Sequence, residues 1–154
     1  ALGGPRSAEA LAQAGDRAAA LGLTLAVRNE AGSFVPTGAA LAALLAEVAH
    51  DAVEADWRPA DALAEGEAPA DGLAALGAAG VAIACVGAHD GVPGDAWQER
   101  RIGEGEVGWP AHLAALAAAG FDGPVVIDAL PKPVRASGLA SATALIRAAR
   151  AATR

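Results

Sequence analysis

A chain of 154 residues that is 54% hydrophobic but only 3% aromatic can form one domain with a core built mainly from Ala, Leu and Val. The formal net charge of −7 argues against nucleic-acid binding, because neutralising phosphates requires a basic surface. The single cysteine, Cys85, excludes an internal disulfide and a cysteine-based metal cluster.

Targeting and membrane signals are missing from the sequence. No segment approaches the ~20 consecutive apolar residues that a membrane-spanning helix needs. The first residues, ALGGPRSAEA, lack the apolar centre of a secretory signal peptide. We therefore expect a cytoplasmic protein that contacts neither membranes nor nucleic acid.

Ala/Leu-rich helical segments alternate with short β-type runs. In chain order the pattern predicts a helix over 7–21 capped by Ser7, a strand over 23–28, a helix capped by Thr37, a strand over 52–57, a helix capped by Asp71, a strand over 81–87, a loop over 88–108, a helix begun by Pro110, a strand over 124–129 and a helix over 137–153.

This alternation is typical of a parallel sheet covered by helices. By periodicity alone, a doubly wound sheet fits as well as a barrel. However, no GxGxxG follows the first predicted strand, and GxxxxGK[ST] occurs nowhere in the chain. The absence of these phosphate-binding loops disfavours nucleotide-binding folds.

Three segments decide between the two architectures: LGLTLAVRNEAGSFVPT, HDAVEADWRPADALAEGE and RIGEGEVGWPAHLAALAAAGFDGPVVIDA. In this order they resemble the xylose-isomerase-like TIM-barrel superfamily of sugar isomerases, epimerases and apurinic endonucleases. The resemblance implies one α/β domain over 1–154 that supplies about four βα units, the fifth to eighth strands of a (β/α)₈ barrel. Because a complete barrel takes ~250 residues, we expect another half-barrel, on a partner, a second copy or a longer chain.

The resemblance also implies a divalent metal such as Mn²⁺ or Mg²⁺ at the strand ends. The matching positions hold Arg28 and Arg58 in place of two carboxylates and Gly87 in place of a histidine, while Asp128 keeps an acid. A guanidinium does not lose its charge in a protein and repels a divalent cation. We therefore expect a degenerate metal site and no metal cofactor.

Three hypotheses about function follow, and they leave open whether the protein is an enzyme. In the first hypothesis, the protein is a pseudoenzyme, a non-catalytic binding or structural subunit in which an arginine fills the metal position and pairs with Asp128. Alternatively, Arg28 and Arg58 bind the anionic group of a sugar acid or sugar phosphate. Alternatively, it is an active isomerase or epimerase whose site is completed by the missing strands.

Other polar and aromatic residues are weaker candidates. His89, at a position where the family has lysine, is a candidate acid or base near neutral pH. Glu30 is a candidate substitute carboxylate, although an exposed loop position suits it better. Trp57 is either a sugar-binding platform or a core residue, and the same two alternatives apply to Trp109. The other candidates for binding substrate are Arg28, Arg58 and Asp128. His112 is expected on the outer surface of its helix.

Overall fold

The computed structural model describes residues 5–127, 139–140, 142–144 and 146–147. In chain order its elements are α1 (Pro5–Ala20), β1 (Leu25–Arg28), α2 (Gly38–Val48), β2 (Val53–Trp57), α3 (Pro59–Ala64), α4 (Pro69–Ala78), β3 (Ile83–Ala88), β4 (Asp90–Val92), β5 (Gln98–Arg100), α5 (Trp109–Ala118) and β6 (Val125–Ile127). The described residues between 139 and 147 are helical.

Four strands form one parallel sheet in the order β1-β2-β3-β6. The predicted parallel sheet of four strands is therefore confirmed. The register pairs Leu25 with Val53 and Arg28 with Asp56, an offset of 28 residues between β1 and β2. Between β2 and β3 the register shifts after Ala55, so that Asp56 pairs with Cys85. Strands β4 and β5 form a separate antiparallel hairpin.

Several predicted boundaries and caps are wrong. Helix α1 begins at Pro5, so Ser7 lies within its first turn and does not cap it. Helix α4 begins at Pro69 with Ala68 as its N-cap, which places Asp71 in the first turn. Proline is favoured at the start of a helix because the N–H that it lacks would have no helical partner there. Helix α3 and the β4–β5 hairpin were not predicted.

Helix α2 begins at the predicted cap. The Thr37 hydroxyl accepts a hydrogen bond from the Ala40 amide at 3.1 Å. The carboxylate of Glu67 accepts two further bonds, from the amides of Gly38 at 2.6 Å and Ala39 at 3.0 Å. Three of the first amides of α2 are thus satisfied by side chains, one of which brings negative charge to the positive end of the helix dipole.

The hydrophobic core lies between one face of the sheet and the helices. Its largest fully buried hydrophobic side chains are Trp57, Trp109, Leu41, Leu76, Leu116 and Val86. We call the opposite side, which carries Ala26, Arg28, Asp56, Gly87 and Val126, the open face. Side chains alternate between the two faces along each strand. On the open face Arg28 is half-exposed and Val126 is 46% exposed. Within the described residues, no helix is long and apolar enough to cross a membrane.

Candidate functional site

The carboxyl ends of β1, β2 and β3 bring three charged side chains together. Arg28 ends β1, Asp56 lies one residue before the end of β2, and Arg58 follows β2 directly. The register places Arg28 beside Asp56 on the open face, and Arg58 has the same strand phase as Asp56. This end of a barrel strand is where TIM-barrel enzymes place their active sites.

Asp56 accepts contacts from both arginines. The Arg28 Nε donates to Asp56 Oδ2 at 2.8 Å, and the Arg58 Nε lies 3.5 Å from Asp56 Oδ1. The side chain of Arg28 is 49% exposed, whereas those of Arg58 and Asp56 are 8% and 9% exposed. We call Arg28, Asp56 and Arg58 the Arg–Asp–Arg cluster. It is a largely desolvated ion pair with a second, solvent-facing arginine at its edge.

The Arg58 guanidinium lies directly over Gly87. A Cβ atom placed on Gly87 would be 2.6 Å from the Arg58 Nε and 2.7 Å from its Cζ. Real Cβ atoms do not approach other heavy atoms this closely, so the space beside Gly87 belongs to Arg58. The resemblance implies a histidine at the position of Gly87 and an acid at the position of Arg58. In the fold these two positions are in contact with each other.

The backbone of Arg58 is fixed by Asn29, which is fully buried. The Asn29 side-chain oxygen accepts from the Arg58 amide at 2.8 Å, and its amide group donates to the Arg58 carbonyl at 2.9 Å. This two-sided contact joins the end of β1 to the end of β2. It sets the position from which the Arg58 side chain reaches Gly87.

Asp56 was not among the residues singled out from the sequence, yet both arginines contact it. The predicted strand starts, at residues 23 and 52, imply an offset of 29 residues and put Trp57 opposite Arg28. The true offset of 28 puts Asp56 there. A change of one residue moves every side chain to the other face, so only the correct register reveals the pair. The predicted partner, Asp128, lies outside the described residues.

Cys85 is the third neighbour of Asp56. Burial, the negative charge of Asp56 and a hydrogen bond to Asp56 raise the pKa of the Cys85 thiol from 9.0 to about 11, although the two arginines oppose this. A thiol with so high a pKa is almost entirely protonated at neutral pH and is a poor nucleophile. This environment does not favour Cys85 as a catalytic nucleophile.

His89 lies at the same edge of the sheet, just beyond β3. Its Nε2 is 3.8 Å from Asp61 Oδ2, and both side chains are mostly buried. The ring packs edge-on against Trp97, with 6.0 Å between the centroids. Asp61 also accepts from the Ala31 amide at 3.2 Å, so it connects the loop after β1 to His89. Because the His89 Nδ1 is buried and Nε2 faces Asp61, the environment of His89 is that of a packed residue. Its role as an acid or base stays a prediction.

The remaining candidates are placed apart from the cluster or in the core. Glu30 is exposed in the loop after β1. Trp57 is fully buried and its indole N–H donates to His112 Nε2 at 2.9 Å. Trp109 is also fully buried and donates to the His89 carbonyl at 3.0 Å. In this chain both tryptophans are core residues, the second of the two alternatives.

The prediction that His112 lies on the outer surface is wrong. His112 is 4% exposed and lies between Trp57 and Trp109, with ring centroids 6.1 and 5.9 Å away. Burial lowers the pKa of His112 from 6.5 to about 4. The neutral ring is the form that accepts the Trp57 N–H at Nε2, so burial and this hydrogen bond favour the same state.

Side chains that could bind a divalent cation are sparse among the described residues at the strand ends. Among them, no group of three or more His, Cys, Asp or Glu side chains could hold a metal ion. Asp56, the acid on the open face next to the arginines, is already in contact with two guanidinium groups. A cation beside those groups would be repelled by several kcal/mol at an effective dielectric near 20.

Comparison with known proteins identifies the family of this chain. The model of the xylose isomerase-like TIM barrel matches residues 5–150. The chain belongs to this family. Since the sheet carries four parallel strands, the chain supplies about half of such a barrel. Comparison with proteins of curated function finds no significant match.

Three solved structures illustrate the similarity. A xylose isomerase domain protein from Planctomyces limnophilus is 22% identical, with a TM-score of 0.77 over 94% of this chain and 53% of that one. A xylose isomerase-like TIM-barrel protein from Mycobacterium smegmatis, solved in complex with magnesium, is 14% identical, with a TM-score of 0.80 over 96% and 51%. D-Psicose 3-epimerase from Clostridium cellulolyticum H10, solved with D-tagatose, is 18% identical, with a TM-score of 0.64 over 81% and 41%. The chain thus spans about half the length of these structures or less.

Proposed function

We propose that this half-barrel is a non-catalytic binding or structural subunit of the sugar isomerase/epimerase-like superfamily, completed by another half-barrel. The observation that supports this proposal is the position of Arg58, whose buried guanidinium fills the space beside Gly87 and contacts Asp56. The superfamily's chemistry needs an electrophilic metal to hold the sugar oxygens. The permanently charged guanidinium of Arg58 would occupy the position of that metal and repel it.

Metal content and proton exchange in the full-length protein test this proposal. The protein is incubated with Mn²⁺ and Mg²⁺, dialysed and analysed for bound metal, and is then mixed with a panel of ketoses and aldoses in D₂O. We expect less than stoichiometric metal and no incorporation of deuterium at the carbon next to the carbonyl. Stoichiometric Mn²⁺ together with deuterium incorporation would instead support an active isomerase or epimerase completed by the other half of the barrel.

A second candidate is favoured by one observation, the 49% exposure of the Arg28 side chain on the open face. A guanidinium that is fixed at Nε by Asp56 and still reaches solvent suits the carboxylate of a sugar acid or the phosphate of a sugar phosphate.

Thermal shifts with gluconate, glucose 6-phosphate and inorganic phosphate test the anion site. If it exists, these anions raise the melting temperature of the wild type but not that of Arg28→Gln. Arg17→Gln, at an exposed position of α1, serves as the control for the loss of one positive charge. Equal shifts in all three proteins would eliminate the anion site.

A further inference from the structure

Gly87 and Arg58 occupy one volume between them. A Cβ on Gly87 would lie 2.6 Å from the Arg58 Nε, 2.7 Å from Cζ and 3.0 Å from Nη1. Three consecutive atoms of the guanidinium are therefore in contact with this single point. The group lies across the strand at Gly87, and even a methyl group there would displace it.

Arg58 has no inexpensive way to move aside. Its side chain is 8% exposed and its Nε faces Asp56 Oδ1 at 3.5 Å. Asn29 fixes the Arg58 backbone through both its N–H and its carbonyl. Moving the guanidinium away would leave the buried carboxylate of Asp56 with less compensating charge, which is unfavourable in a poorly solvated site.

We propose that Arg58 and Gly87 are a coupled pair in which the guanidinium is the resident cation of the strand-end site. It balances Asp56 where a bound ion would otherwise be required, and it can do so only because residue 87 has no side chain. The inference rests on the proposed function and deepens it by naming the group that replaces the metal. It also predicts that neither position can be changed independently of the other.

A double-mutant cycle in the full-length protein tests the coupling. Gly87→Ala, Arg58→Ala and the double variant are compared with the wild type by urea unfolding. We expect Gly87→Ala to raise the unfolding equilibrium constant strongly when Arg58 is present and only weakly in the Arg58→Ala background, a coupling of about tenfold or more. Gly77→Ala is the matched control, because a Cβ on Gly77 meets nothing within 4 Å. Additive effects at 87 and 58 would overturn the coupled pair.

A second experiment tests whether a metal ion can bind at the position that the Arg58 guanidinium occupies. The variant Arg28→Gln/Arg58→Asp/Gly87→His removes both positive charges and adds a carboxylate and an imidazole beside Asp56, donors that suit Mn²⁺. We expect Mn²⁺ to raise its melting temperature and to lose its free electron paramagnetic resonance signal on binding, with neither change in the wild type. Wild-type binding as tight as the variant's, or a folded variant that does not bind, would count against the inference.

The two proposals fail in different ways. Sugar turnover by the wild type would refute the non-catalytic function and leave the result of the cycle unchanged. Additive substitutions would refute the coupled pair and leave the lack of turnover unchanged. If the triple variant does not fold, the alanine cycle still decides the question, since its substitutions remove atoms or add one methyl group.

Discussion

At the scale of single residues, burial and neighbouring side chains determine the protonation states of Cys85 and His112. Asp56 contacts two guanidiniums, and burial together with the negative charge of Asp56 keeps the Cys85 thiol protonated, with a pKa of about 11. His112 shows the opposite case, a base kept neutral by burial between two tryptophans. Neither effect is visible from the residue types alone, because both depend on contacts between distant parts of the chain.

The neutral state of His112 makes the stability depend on pH. Its folded pKa of about 4 lies below the unfolded value of 6.5, so the unfolded chain takes up the proton first. The contribution of His112 is fully present above pH 6.5 and declines as the pH falls toward 4. From pH 7 to pH 4 the free energy of unfolding should decrease by about 3 kcal/mol from this group.

Urea unfolding between pH 4 and 7 measures the effect, with His112→Gln as the comparison. A glutamine oxygen can still accept the Trp57 N–H but takes up no proton in this range. The wild type should therefore lose more stability than the variant as the pH falls. Parallel pH profiles for the two proteins would show that His112 does not remain neutral in the fold.

At the scale of secondary-structure elements, the loop after β5 is organised by one carboxylate. Asp90 is fully buried and accepts backbone N–H bonds from Gly91 and Val107 at Oδ1 and from Gly103 and Gly105 at Oδ2. The last three bonds fix the segment 101–108, which leads into α5. A Cβ at Gly105 would collide with the Asp90 carboxylate, so this glycine lets the backbone approach.

Asp90→Asn should loosen this segment, because an amide NH₂ cannot accept the N–H groups that one carboxylate oxygen now binds. We expect a loss of about 2–4 kcal/mol in the free energy of unfolding. Amide hydrogen exchange should accelerate at Gly103, Gly105 and Val107. Asp95→Asn, at an exposed position of the preceding loop, controls for the loss of one negative charge. Unchanged exchange at these three amides would mean that Asp90 does not hold the segment.

The sequence was sufficient for the elements whose pattern is long and regular. The strands were predicted as short apolar runs and the helices as longer Ala/Leu-rich segments. Thr37 caps one helix and Pro110 lies in the first turn of another, as predicted. Helix α3 was missed because six residues are too few to show a period. The hairpin was missed because β5 consists of three exposed polar residues, which show no apolar alternation. The candidate site was predicted in part, since its arginines were found and their shared acid was not.

At the scale of the whole molecule, the proposed second half-barrel would cover the open face. On it, Arg28 and Val126 are about half exposed although both belong to strands of the central sheet, and β1 and β6 are the edges of that sheet. Strand edges and an uncovered sheet face are unfavourable in water and promote association. The three solved structures compared with this chain are nearly twice as long, which fits a barrel closed by a second half.

Association of the 15.0 kDa chain should therefore be measurable and should depend on this face. By light scattering at micromolar concentration we expect the wild type to exceed the monomer mass, and Val126→Asp to lower the mass because a charge would be buried in the closed barrel. Ala114→Asp, on the exposed side of α5, should leave the mass unchanged. A wild type that stays monomeric, folds cooperatively and binds no second half-barrel would show that four strands with one bare face are stable alone. The Arg–Asp–Arg cluster would then face solvent and not the interior of a barrel.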